Sequence, residues 1–200
     1  MKPTALFFGS FNPIHRGHLA IARWVAEHGV CDEVWLVVSP GNPLKGAGEL
    51  ADAGQRLEMV RLAVAAAGLG ERVKVCDAEF RMPRPSYTID TLERLGHDFP
   101  GRKFALLIGS DIVSQLDKWK DYLKLLDKYQ ILVYPRPGYP VEGAFAGRVT
   151  LLDGAPQWDY SSTRVREAIA GGRAEDMVTP EVLDYIRTHN LWTKSSSSSK

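Results

Sequence analysis

Two hundred residues, 44% hydrophobic and 24% charged, suffice for one domain with a real core and exclude a disordered or fibrous chain. With 25 basic against 24 acidic side chains the net charge is +1, so no global field draws the chain onto nucleic acid or an anionic membrane, and any anion must be caught by a local site. Cys31 and Cys76 lack CxxC partners, no apolar run approaches the roughly 20 residues that span a bilayer, and the N-terminus is unlike a signal peptide, which together predict a cytoplasmic protein with both thiols buried.

The first predicted element is a strand, Thr4 to Phe8, running into the turn Gly-Ser-Phe-Asn-Pro-Ile-His-Arg-Gly-His from Gly9 to His18, then a helix from His18 to His28. Glycines at Gly9 and Gly17, without a β-carbon, let a phosphate or a base come close to the backbone. The N–H groups at the helix start make an anion site that needs no arginine. The dinucleotide spacing GxGxxG and the P-loop are both missing. What is distinctive is the pair His15 and His18, which donate to phosphate oxygens whether neutral or protonated. Taken alone, the pair reads first as two satisfied or solvated histidines. No cysteine or third ligand nearby suggests a metal.

A strand over Glu33 to Ser39 leads into a Gly/Pro-rich loop from Pro40 to Gly54 that contains Lys45, then a helix over Ala53 to Ala67 with Asp52 and Gln55 as a capping pair and Gly68 as its stop. There follow a strand over Arg72 to Cys76, a helix over Tyr87 to Leu95, a strand over Lys103 to Ile108, a helix over Tyr122 to Lys128 and a strand over Gln130 to Tyr134. A second Gly/Pro-rich loop, Tyr134 to Gly147, precedes a strand over Arg148 to Leu152 and helices over Ser162 to Ala170 and Pro180 to His189, the last capped by Thr179. Strands that are apolar at nearly every position are covered on both faces. Their alternation with helices predicts an α/β, doubly wound parallel sheet, with ligands beyond the carboxyl ends of the strands. One domain over residues 1–194 and a disordered serine-rich tail over 195–200 complete the expectation.

Gly9 to His18 resembles the first signature of the nucleotidyltransferases whose turn ends in His-x-Gly-His, with Asn12 where aspartate is more usual. Ser161-Ser-Thr-Arg-Val-Arg166 resembles their second, with Tyr160 before it in place of isoleucine. Within them, Ser39 to Lys45, Pro85-Ser-Tyr-Thr-Ile-Asp-Thr-Leu92, and Gly109-Ser-Asp111 followed by Lys118-Trp119 are similar to nicotinate-nucleotide adenylyltransferases. The resemblance implies a Rossmann-like nucleotidyltransferase fold and adenylyl transfer from ATP to nicotinate mononucleotide, with Mg2+ carried by ATP and pyrophosphate as leaving group. It implies His15, His18, Lys45 and Arg166 as the catalytic charge. Around ATP it implies Gly9, Ser10, Phe11, Gly17, Asp111 (on the ribose hydroxyls), Ser161, Ser162 and Thr163. Tyr87 and Thr88 would border the pyridine ring, Trp119 would stack on it, and Arg136 would approach the substrate.

Read without the resemblance, Ser161 to Thr163 is a helix cap, Asp111 a helix cap, Trp119 a half-buried packing residue, and Lys45 and Arg136 surface-loop cations. The competing activities are adenylyl transfer to nicotinamide mononucleotide or phosphopantetheine, cytidylyl transfer from CTP, and a nucleotide sensor without chemistry. Oligomeric state leaves no mark in the sequence.

Overall fold

The computed structural model describes residues 2–41 and 50–193. Its sheet has six parallel strands: β1 (Thr4–Gly9), β2 (Glu33–Val38), β3 (Val73–Cys76), β4 (Phe104–Gly109), β5 (Gln130–Tyr134) and β6 (Thr150–Leu151), in the order β3-β2-β1-β4-β5-β6. Successive side chains of a strand point to opposite faces. Ala5 and Phe7 of β1, Val34, Leu36 and Val38 of β2, and Ala105 and Leu107 of β4 therefore pack into one core. Leu6, Trp35, Val37, Phe104, Leu106 and Ile108 pack into the other. Apolar residues at consecutive positions make sense only because helices cover both sides.

The first core is closed by α1 (Arg16–Glu27), α2 (Ala53–Ala66), α6 (Ser162–Ala170) and α7 (Pro180–Thr188), the second by α3 (Thr88–Asp98), the one-turn α4 (Ser110–Val113) and α5 (Tyr122–Lys128). The doubly wound reading holds, and β1 and β4 are the neighbours from which the sheet is wound outward in both directions. A crevice outside their carboxyl ends, at Gly9 and Gly109, is where such a fold takes ligands.

The expected caps form. The Asp52 carboxylate accepts from the Gly54 and Gln55 N–H groups, and Thr179 Oγ1 accepts from Val182 N–H. Three boundaries differ from expectation by more than one residue. The first helix starts at Arg16 with an extended His15 as its cap residue, so His18 lies inside the first turn. The third runs on to Asp98. The last strand shrinks to two residues, paired only with β5 at the edge of the sheet. The turns at 110–113, 116–118, 78–81 and 143–148 are too short to show a helical period. Lys45 and residues 195–200 lie outside the described residues.

Candidate active site

The turn after β1 is built by its own side chains. A β-carbon at Gly9 would stand 3.0 Å from the Phe11 ring, which folds back over it with a backbone φ of +43°. One at Gly17 would stand 3.0 Å from His15 Nδ1 and 3.2 Å from Trp158 Cβ. Phe11, His15 and Trp158 thus pack close against these two glycines. The amides at the start of α1 are also partly engaged, Arg16 N–H with the Met177 carbonyl (2.9 Å) and His18 N–H with that of His15 (3.0 Å).

The two histidines form one unit. Their rings stack with centroids 3.6 Å apart, and His15 N–H donates to His18 Nδ1 (3.2 Å). A neutral His18 therefore carries its proton on Nε2. His15 is 4% exposed; burial, helped by the charge of Arg136, pushes its pKa from 6.5 down to about 3. Near neutral pH it is an uncharged hydrogen-bonding group.

Both rings line a small cleft with Gly17, Arg136, Trp158 and Tyr160. Three buried polar atoms in its wall lack a hydrogen-bond partner, His15 Nδ1, Arg136 Nε and Trp158 Nε1, and among the described residues no other buried side-chain nitrogen or oxygen shares that state. A buried polar atom left unpaired costs about 1–3 kcal/mol, so three converging on one cleft mark a place built for a polar ligand.

Arg136 is more than the surface-turn residue of the bare sequence reading. Its N–H donates to Ser110 Oγ (2.9 Å), its Nη1 to the Tyr160 carbonyl (3.3 Å), and its Nε lies 3.8 Å from Asp111 Oδ2. Asp111 sits in the first turn of α4, whose cap residue is Gly109, so the cap reading is not borne out. Beside it, burial and the Asp111 charge push Tyr134 up to about 12, which keeps its hydroxyl protonated.

The second signature folds onto the first. Ser161 caps α6 by accepting from Arg164 N–H (3.2 Å). Ser162 Oγ donates to the Pro13 carbonyl (3.0 Å) and Arg166 Nη1 to the Asn12 carbonyl (2.9 Å), partners 149 and 154 residues away in sequence. Arg166 Nη2 also donates to Thr163 Oγ1 (3.2 Å). Asn12 Oδ1 in turn accepts from Ala51 N–H (2.9 Å), tying the turn to the start of α2.

Tyr87, Thr88 and Trp119 do not line this cleft. They lie on the other side of the sheet, Tyr87 and Thr88 at the start of α3 and Trp119 just after the turn at 116–118. Lys120 joins them: its Nζ lies 5.0 Å over the Tyr87 ring and donates to both oxygens of Asp90 (2.9 and 2.8 Å). Beneath them the buried carboxylate of Glu79 accepts from Ser86 Oγ (2.8 Å) and Thr91 Oγ1 (2.9 Å). The Ser, Asp and Thr of the Ser-Tyr-Thr-Ile-Asp-Thr run thus hold the segment that presents Tyr87 and Thr88. Trp119 is half-buried against the second core. Among the described residues no group of three or more His, Cys, Asp or Glu comes together to hold a metal ion.

Sequence reasoning missed Trp158, Glu79 and Arg56. An aromatic residue three positions before Ser161 was a usable signal for the first. The other two read as ordinary charged residues.

The cytidylyltransferase-like family model matches residues 6–168. Two bacterial proteins named "Probable nicotinate-nucleotide adenylyltransferase" are similar along nearly the whole chain. That of Bacteroides thetaiotaomicron is 41% identical over 187 residues, 93% of this chain and 91% of its own. That of Bacteroides fragilis is 44% identical over 170 residues, 85% and 83% of the two chains. Among solved structures, the Plasmodium falciparum nicotinic acid mononucleotide adenylyltransferase complexed with NaAD superposes with a TM-score of 0.80 at 18% identity, covering 96% of this chain and 98% of that one.

Proposed function

The chain belongs to the cytidylyltransferase-like family and, within it, to the nicotinate-nucleotide adenylyltransferases, and from that premise we propose that it transfers the adenylyl group of ATP to nicotinate mononucleotide. A phosphate oxygen of the mononucleotide bonds to the α-phosphorus of ATP, the bond from that phosphorus to the β-phosphate oxygen breaks, and pyrophosphate leaves with nicotinate adenine dinucleotide as the other product. The reading rests most on the joining of the two signature segments, Ser162 and Arg166 on the carbonyls of Pro13 and Asn12, beside the cleft of His15 and His18.

Both reactants are anions, so the task is alignment and charge compensation, with no covalent protein nucleophile. His18, with its proton on Nε2, and neutral His15 act as hydrogen-bond partners of the phosphate under attack, and Arg136 supplies a fixed cation in the same wall. Arg166, Ser161, Ser162 and Thr163 serve the outer phosphates, with Gly9, Ser10, Phe11 and Gly17 forming the nucleotide turn; Lys45 is assigned by resemblance alone. Asp111 takes the ribose hydroxyls. Tyr87, Thr88 and Trp119 form the acceptor side. Magnesium enters with ATP as part of the substrate, held by phosphate oxygens and water.

Residues 1–194 act as one domain in the cytoplasm. Two buried, unbridged cysteines and the lack, among the described residues, of a helix long and apolar enough to cross a membrane support that setting. The decisive experiment measures pyrophosphate release with magnesium and ATP, or CTP, and with nicotinate mononucleotide, nicotinamide mononucleotide or phosphopantetheine as acceptor. The expected result is turnover with ATP and a preference for nicotinate mononucleotide. Silence with every pair would leave a nucleotide-binding protein without this chemistry.

A further inference from the structure

Arg56 belongs to no motif, yet it heads the fully buried side chains by volume, with 1% exposure. It projects from the first turns of α2, and among the described residues every bond of its guanidinium goes to main-chain oxygen. Nε donates to the Ala51 carbonyl (3.0 Å), Nη1 to those of Ser10 (2.6 Å) and Ser39 (2.7 Å), and Nη2 to that of Pro40 (2.7 Å). These oxygens come from three segments: the turn after β1, the end of β2 and the approach to α2. Among the described residues its charged neighbours are Asp52 and Arg84, and neither hydrogen-bonds to it.

Part of its role is stability, since an apolar replacement would leave those carbonyls without their donor. The fork does something an apolar side chain does not. Carbonyl oxygens gathered at the carboxyl edge of a sheet repel a polyphosphate. A guanidinium that binds four of them cancels that field, adds a positive charge, and locks the turn that continues through His15 to His18 against the end of β2. Lysine has three donors on one nitrogen and no plane, so it does not serve four carbonyls in this arrangement.

We infer that Arg56 is a positioning residue for ATP, acting through the Ser10 end of the nucleotide turn. The inference rests on the reading of that turn as the ATP site.

The test compares wild type, Arg56→Lys and Arg56→Met by thermal unfolding, by calorimetric titration with magnesium and ATP, and by steady-state kinetics with both substrates. The expected result is folded variants whose Kd for ATP rises about tenfold in Arg56→Lys and about 10²-fold in Arg56→Met, with kcat falling in the same order and KM for nicotinate mononucleotide within about threefold of wild type. Folded variants with wild-type ATP affinity and kcat would overturn the inference. So would equal shifts in KM for both substrates, or failure of both variants to fold even with ATP present, since either marks a purely structural residue. A wild type that binds ATP but makes no dinucleotide refutes the proposed reaction, while the Kd comparison still decides the role of Arg56.

Discussion

Burial and the Arg136 guanidinium push the His15 pKa from 6.5 to about 3, so between those values the native ring stays neutral while an unfolded chain takes up a proton. The unfolded state then binds more protons, and stability falls as pH drops through 6.5, by about 1.4 kcal/mol per pH unit until about 3. Urea unfolding across that window should show the extra slope in wild type and lose it in His15→Asn; parallel curves would mean that His15 titrates normally. For catalysis, His18→Ala and His15→Ala should each lower turnover by about 10²–10³, the scale of losing one transition-state donor, with the fold kept by circular dichroism. Wild-type turnover in either purified variant would remove that histidine from the mechanism. The histidines, Asp111 and the Ser161 cap were readable because each sits in a local pattern with its own chemistry. Arg136 was read as a surface cation because its Ser110 and Tyr160 partners lie 26 and 24 residues away.

Helices α3 and α6 do their work through what their first turns hold. The Glu79 carboxylate under α3 accepts from Ser86 and Thr91, one on either side of Tyr87 and Thr88. Glu79→Ala leaves both hydroxyls without that acceptor. It should raise KM for nicotinate mononucleotide by about tenfold, with KM for ATP little changed, the converse of the pattern expected at Arg56. An unchanged acceptor KM in the folded variant would confine Glu79 to stability. Asp52→Ala, which removes the cap of α2, is the control: a loss of about 1 kcal/mol in stability by urea unfolding and unaltered kinetics. Element types were legible from period and caps, and α5 and α6 keep their expected bounds. Short turns such as α4 were not, because four residues carry no periodicity.

At the scale of the whole molecule, one parallel sheet runs through both cores, and the site sits where chain segments far apart in sequence meet. ATP at about 100 times its Kd should stabilise the native state by about 2.7 kcal/mol and raise the melting temperature by roughly 5–10 °C in a single transition. Two separate transitions, only one of them shifted, would contradict a single domain.

The sequence by itself determined the strand and helix order, the apolar strands that demand helices on both faces, and the two signature turns, because each depends on neighbours within a few positions. Only the tertiary structure decided that Arg166 and Ser162 clamp the first turn, that Phe11, His15 and Trp158 pack close against Gly9 and Gly17, and that a buried arginine ties two strand ends together. Those contacts join residues far apart in sequence, up to 154 positions for Arg166, and whether a charged side chain is buried or solvated follows from which carbonyls the folded sheet brings within its reach.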